Sequence, residues 1–276
     1  MTNKHDFDLP TIREILNNND IKINKSLGQN FLFDINLTDK IVKRSLPIKT
    51  TVIEVGPGPG CLTRSILKQE PNIVFAIDKD IQSKKMLNDL KKIYNKKLEI
   101  IIDDALHYPI WNLGTAPRQI IANLPYNIGT KMLISWLKHV NQFDMMTLMF
   151  QKEVADRIIA KPGSKQYGRL SILTNWLTKT NKVFDIPNTA FFPPPKVKSS
   201  VVQLTPYEKP LFDVNFESVE KITQMAFSQR RKMLKSSLKE INGKKILADL
   251  SISPNLRPED ISVLDFCRIA KMAFEN

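Results

Sequence analysis

Cysteine is nearly absent from this chain of 276 residues: only Cys61 and Cys267 occur, and histidine is confined to His5, His107 and His139. Two cysteines cannot build a disulfide framework or a cysteine-rich metal site, and three scattered histidines leave too few ligands for zinc. No metal is expected. No uninterrupted apolar run approaches the roughly 20 residues that cross a bilayer. Residues 1–19 carry Asp6, Asp8 and Glu14 and have no apolar stretch of the kind a secretory signal needs. The expected setting is a reducing cytoplasm, away from membranes. Acids are also in short supply, since 28 Asp and Glu face 41 Lys and Arg and leave a formal charge of +13. That excess favours a polyanion, whose condensed counterions are released on binding, so nucleic acid is the first candidate partner.

What is present suits a globular protein of one large domain and one smaller one, with 42% hydrophobic residues to fill a core. Residues 11–18 read as a short amphipathic helix, followed by a basic stretch with Lys22 and Lys25. Buried-strand patterns over 51–55, 73–77, 98–102, 119–122 and 144–150 alternate with helical ones over 62–68, 81–94, 130–139 and 152–160. Alternation of this kind predicts a parallel sheet with helices on both faces. A helix over 169–179 and a strand pair, 182–186 with 200–205, would close the domain. The linker 207–210 and a strand-free remainder predict a separate helical domain. The expected division is 1–206 and 207–276.

The first strand runs into Gly56-Pro57-Gly58-Pro59-Gly60. Glycines placed there let a ligand approach the backbone closely, with a purely structural tight turn as the plainer alternative. The loop lacks a third glycine at the dinucleotide position and a Gly-Lys-Ser/Thr ending, and Pro57 and Pro59 have no N–H to offer a phosphate. An adenosyl ligand without phosphates fits better, and S-adenosylmethionine is such a ligand. Asp78 ends the second strand about 20 residues after the glycines, the place from which an acid can accept both ribose hydroxyls. Helix capping is the competing role, and for Asp80 the preferred one. Asp103-Asp104 ends the third strand at the same sheet edge; one of the pair can accept from an adenine amino group or simply shape a turn.

Asn123-Leu124-Pro125-Tyr126 follows the fourth strand. Asn123 offers an amide acceptor, Pro125 stiffens the turn so that a carbonyl can point outward, and Tyr126 supplies an aromatic face. Together they suit an amine attached to a flat ring, while a simple chain reversal is the plainer reading. Phe191-Phe192-Pro193-Pro194-Pro195-Lys196-Val197 reads as a rigid segment presenting rings that can stack on an unstacked base, or as a surface spacer. In residues 228–239 a helix would place Arg231, Lys235 and Lys239 on one face and Leu234 and Leu238 on another, suiting RNA phosphate contact or plain solvation.

Five markers in order, KSLGQNFL at 25–32, EVGPGPG at 54–60, NLPY at 123–126, FFPPPKVKSSV at 191–201 and QRRK within 227–238, resemble the small-subunit ribosomal RNA adenine N6,N6-dimethyltransferases, the family known through kasugamycin sensitivity. The resemblance implies a Rossmann-like α/β methyltransferase domain with a small all-helical C-terminal domain. It implies transfer of methyl groups from S-adenosylmethionine to N6 of two adjacent adenines in a hairpin of the small-subunit RNA, during ribosome biogenesis. Carried over, the cofactor is held by Asn30, Leu32, Gly56, Gly58, Asp78, Asp104 and Asn123. The target amine is gripped by Asn123 and the Leu124 carbonyl within the catalytic turn that Pro125 and Tyr126 complete. Tyr126 and Phe191 stack on the flipped adenine, and Arg230, Arg231 and Lys235 meet RNA. The family commonly has Glu where this chain has Asp78, a shorter side chain. The partner is expected to be a pre-ribosomal particle and the enzyme a monomer. Rival readings are a large-subunit adenine methyltransferase and a non-catalytic assembly factor. A zinc deaminase is excluded by the missing H-x-E and P-C-x-x-C signature.

Overall fold

The computed structural model describes residues 10–11, 14–15, 30–229 and 231–275. Glu14 and Ile15 are helical. The rest of the expected helix over 11–18 apart from Thr11, with Lys22, Lys25 and the first five residues of the 25–32 marker, lies outside the described residues.

The strands are β1 (Phe31–Leu32), β2 (Thr51–Val55), β3 (Ile73–Asp78), β4 (Leu98–Ile102), β5 (Arg118–Asn123), β6 (Met145–Gln151), β7 (Thr178–Ile186), β8 (Phe191–Phe192) and β9 (Ser199–Pro206). Seven make one sheet in the order β4-β3-β2-β5-β6-β9-β7, and β1 pairs antiparallel with β8 in a separate ribbon. Strands β2 to β6 pair in parallel. All five residues of β2 are buried, as the unbroken Thr51-Val52-Ile53-Glu54-Val55 run requires of a parallel strand covered on both faces. Its neighbours β3 and β5 belong to opposite directions of chain progress, so the carboxyl end of β2 is a switch point where open α/β sheets leave a crevice.

The first crossover helix, Cys61–Leu67, is buried throughout. Val52, Ile66, Val74, Leu90, Ile121 and Val201 join one hydrophobic core. The helix expected over 81–94 is two helices, Gln82–Met86 and Asn88–Tyr94, joined at the buried Leu87, whose φ −93° and ψ 1° leave the helical well. The helix expected to run to residue 179 is Arg169–Leu177, and β7 starts at Thr178, where Thr178 and Thr180 favour an extended chain.

The chain divides into two compact units, 1–155 with 182–203 and 156–181 with 204–276. The helix Arg169–Leu177 and its sequence neighbours in 156–181 thus group with the C-terminal helices. In that second unit, Trp176 is buried and donates its indole N–H to Phe212 O at 2.9 Å. Phe227 packs between Tyr167 and Phe266 at centroid distances of 6.5 and 5.8 Å.

Candidate active site at the carboxyl ends of the parallel strands

Parallel pairing brings the ends of β2, β3, β4 and β5 to one edge, and a cavity of about 280 Å³ opens there. Gly56, Asp78, Asp104, Asn123, Leu124, Pro125 and Tyr126 line it together with Asn30 and Phe31. Residues from four separate strand ends and from the segment before β1 therefore meet at one place.

The glycine loop is built for close approach and has no donor to spare. Gly56, Gly58 and Gly60 have φ of +70°, +52° and +85°, a region that side chains other than glycine's rarely adopt. A Cβ on Gly58 would lie 2.5 Å from the Phe31 ring. Each loop N–H is used inside the protein: Gly56 donates to Ile77 O at 2.9 Å, Gly60 to Pro57 O at 3.0 Å, and Gly58 to the Asp78 carboxylate. With Pro57 and Pro59 lacking the group altogether, the loop offers a phosphate nothing to bind. A sulfonium nucleoside free of phosphates matches this donor set.

Asp78 and Asp104, identical in chemistry and at the ends of adjacent strands, are poised oppositely. Burial holds the Asp78 carboxyl above its ordinary pKa, against hydrogen bonds from Ser83, Asp80 and Gly58 that pull it down. Its oxygens accept from Ser83 Oγ at 2.6 Å and Asp80 N at 2.9 Å. Three donors leave one of the carboxylate's roughly four lone-pair sites open, so local bracing and a ribose contact can coexist. Asp80 accepts from the Gln82 N–H at 3.0 Å and serves the following helix. Asp104 lies below its ordinary pKa because the Leu106 N–H and the Lys79 ammonium favour its charge. Lys79 Nζ stands 3.0 Å from Asp104 Oδ2. Lys79 also lines the cavity, and nothing in its sequence position marks it out.

At the turn, Asn123 Nδ2 donates to the Asn30 carbonyl at 2.9 Å. The two ends of an amide differ only as donor and acceptor, so this bond fixes Nδ2 toward Asn30 and leaves Oδ1 as the acceptor end. The Pro125 carbonyl is consumed by the Ile128 and Gly129 N–H groups, which start the helix Gly129–Leu137. Among the described residues the Leu124 carbonyl takes no turn or capping hydrogen bond. The Tyr126 phenol shares a hydrogen bond with Ser199 Oγ, and burial raises its pKa, so the ring is neutral and held at its far end.

Beneath the loop lies Glu54, fully buried, its pKa raised to about 8 by burial, with the nearby Thr63 hydroxyl opposing and the Asp78 charge reinforcing the shift. Its Oε2 is buried without a hydrogen-bond partner.

Several expected residues sit elsewhere. Leu32 turns into the hydrophobic core, and Phe31 takes the place on the cavity wall. Gly58 is under Phe31 and shapes the wall without lining it. Phe191 is only 3% exposed and packs in the same core as Leu32, so it presents no face for stacking in this structure. The expected helix over 228–239 is interrupted: Phe216–Ser228 ends, and a four-residue helix, Leu234–Ser237, begins after Met233. Leu234 and Leu238 are buried as anticipated, Arg231 is exposed, and Lys235 donates to Asn255 Oδ1 at 2.8 Å. Arg230 lies outside the described residues. Among the described residues no cluster of metal-ligating side chains occurs, and no helix is long and apolar enough to cross a membrane.

The sequence pattern of the ribosomal RNA adenine dimethylase family matches residues 20–275. Ribosomal RNA small subunit methyltransferase A of Rhodospirillum rubrum is 45% identical over 265 residues, covering 95% of this chain and 92% of that protein. The protein of the same name from Brucella abortus is 47% identical over 269 residues, covering 95% and 96%. Among solved structures, a dimethyladenosine transferase from Plasmodium falciparum superposes with a TM-score of 0.76 at 26% identity, covering 87% of this chain and 95% of its own. The 23S rRNA methyltransferase ErmE shares the fold, with a TM-score of 0.66 at 21% identity over 88% of this chain and 99% of its own.

Proposed function

The chain belongs to the ribosomal RNA adenine dimethylase family, and from that premise we infer that it transfers methyl groups from S-adenosylmethionine to N6 of adenine in small-subunit ribosomal RNA. The observation that carries the reading is the meeting of Gly56, Asp78, Asp104, Asn123, Leu124 and Tyr126 on one cavity at the switch point of the sheet.

Asp78 would hold the ribose hydroxyls of the cofactor, Asp104 its adenine amino group, and Gly56 and Asn30 the backbone wall beside it. When bound, S-adenosylmethionine supplies an activated methyl group on a positively charged sulfur. The protein's task is the amine. The lone pair of adenine N6 is delocalised into the ring, so N6 is a poor nucleophile. Asn123 Oδ1 and the Leu124 carbonyl would accept its hydrogens, two in a first transfer and the remaining one in a second, which favours a tetrahedral nitrogen with its lone pair turned out of the ring plane. The N6 proton that each methyl replaces is released to water. Orientation of this kind can contribute about 7–11 kcal/mol without any strong base. Tyr126, braced by Ser199, offers a face to the flipped adenine. The bond from Asn123 Nδ2 to Asn30 O keeps the acceptor oxygen from rotating away.

The finer reading places two adjacent adenines of a hairpin as targets, N6,N6-dimethyladenosine as product and a pre-ribosomal particle as substrate for a cytoplasmic monomer. In it the helical region 207–276 contributes Arg230, Arg231 and Lys235 to the RNA. The decisive experiment incubates the protein with labelled S-adenosylmethionine and small ribosomal subunits lacking adenine dimethylation, with large subunits as control. Dimethyladenosine on small-subunit RNA alone is expected. Label on large-subunit RNA would move the chain to another specificity within the fold, and binding without label would leave an assembly role.

A further inference from the structure

Phe192 is 48% exposed, a ring that the reaction above does not use. It lies against Phe33 with centroids 5.6 Å apart and planes inclined by 31°. The β1–β8 ribbon explains the placement, because its register opposes Phe31 to Phe192 and Leu32 to Phe191. Directly opposed residues of an antiparallel pair share a face, and successive residues alternate between faces. Leu32 and Phe191 take the face buried in the core. Phe31 and Phe192 take the other, joined by Phe33 two residues along from Phe31. Phe31 lines the cavity, and its cross-strand partner Phe192 stands next to it in the ribbon without lining the cavity.

Charge follows on the same segment. Lys196 and Lys198 are exposed, and Val197 between them is exposed as well. The next residue, Ser199, holds the Tyr126 hydroxyl, so the segment bearing the outer ring and the cations is tied to the ring that faces the target. Extruding one adenine leaves the adjoining base without a stacking partner on that side. An aromatic surface beside the mouth, flanked by cations, is the chemistry that restores it.

We propose that Phe33 and Phe192 form a stacking ledge for the nucleobase next to the target adenine, with Lys196 and Lys198 at the phosphate beside it. The proposal rests on the reading of the cavity as the adenine site. The test uses the full chain and a small-subunit RNA hairpin with 2-aminopurine at either the target or the neighbouring position. Binding is expected to quench both probes. In Phe192→Ala the neighbour's quenching disappears, the target's persists, and RNA binding weakens about 5- to 150-fold, the range that loss of one base–aromatic stack gives. Phe192→Tyr restores both, and thermal midpoints stay together, which separates stacking from misfolding. Unchanged quenching at the neighbour in Phe192→Ala, or quenching at the target alone in the wild type, overturns the ledge and leaves the adenine site standing. Quenching at neither position in the wild type contradicts both.

Discussion

The Asn123–Tyr126 turn and the Phe191–Val197 segment both set an aromatic ring beside proline, and they present their rings in opposite ways. Tyr126 lines the cavity, with its hydroxyl anchored to Ser199. Phe191 points into the core and Phe192 into solvent. Proline stiffens both segments, but stiffness does not decide which ring shows. In the turn, the end of β5 and the start of the helix Gly129–Leu137 leave Tyr126 at the crevice. In the other segment, pairing with β1 and the two-residue alternation of an extended chain decide, and a shift of one residue would exchange the two phenylalanines.

The comparison predicts different losses from similar truncations. Phe191→Ala removes a buried ring and should cost about 3–5 kcal/mol of stability, seen as a lower denaturant midpoint. Wild-type stability for that variant would place Phe191 outside the core. Tyr126→Ala should leave the fold largely intact and lower kcat/KM about 5- to 150-fold through loss of one base stack; a fall in thermal midpoint matching that of Phe191→Ala would show the ring to be structural. Ser199→Ala removes the brace alone, with an expected loss of about 1 kcal/mol in stability and a smaller fall in rate than Tyr126→Ala. A rate loss as large as that of Tyr126→Ala would assign Ser199 a role beyond holding the phenol.

A further effect, set by pH, concerns position in a strand once more. Glu54 is a carboxyl that the Thr51–Val55 pattern places inside, and its folded pKa is raised to about 8 from 4.5. A raised folded pKa means that its contribution to stability is fully present below pH 4.5 and is lost as the pH climbs toward 8. Glu54→Gln should therefore match the wild type in thermal midpoint near the bottom of that window and gain on it steadily toward the top. A constant gap across the window would mean that Glu54 is ionised in the folded protein.

Much of this was legible in the chain itself. Buried-strand runs ending in Gly56, Asp78, Asp104 and Asn123 gave both the parallel order and the shared edge, because a parallel sheet puts all strand ends of one sense together. What escaped is non-local. The β1–β8 register joins residues some 160 positions apart in sequence, and it alone sends Leu32 inward and brings Phe31 to the wall. Lys79 carries no motif, and it reaches across to Asp104, just past the end of the neighbouring strand β4. The break between Ser228 and Leu234 was hidden by a charge pattern that suits a continuous helix. Leu234 and Lys235 instead take backbone bonds to Leu256 and Pro254.

The account turns on Asn123 acting on the target amine and not on the cofactor, so the measurement to make is a pair on Asn123→Ala: S-adenosylmethionine affinity by calorimetry, and label transfer to unmethylated small subunits. The account predicts cofactor binding within a few-fold of wild type and transfer lost. An active Asn123→Ala enzyme, or one inactive only because the cofactor no longer binds, would contradict it.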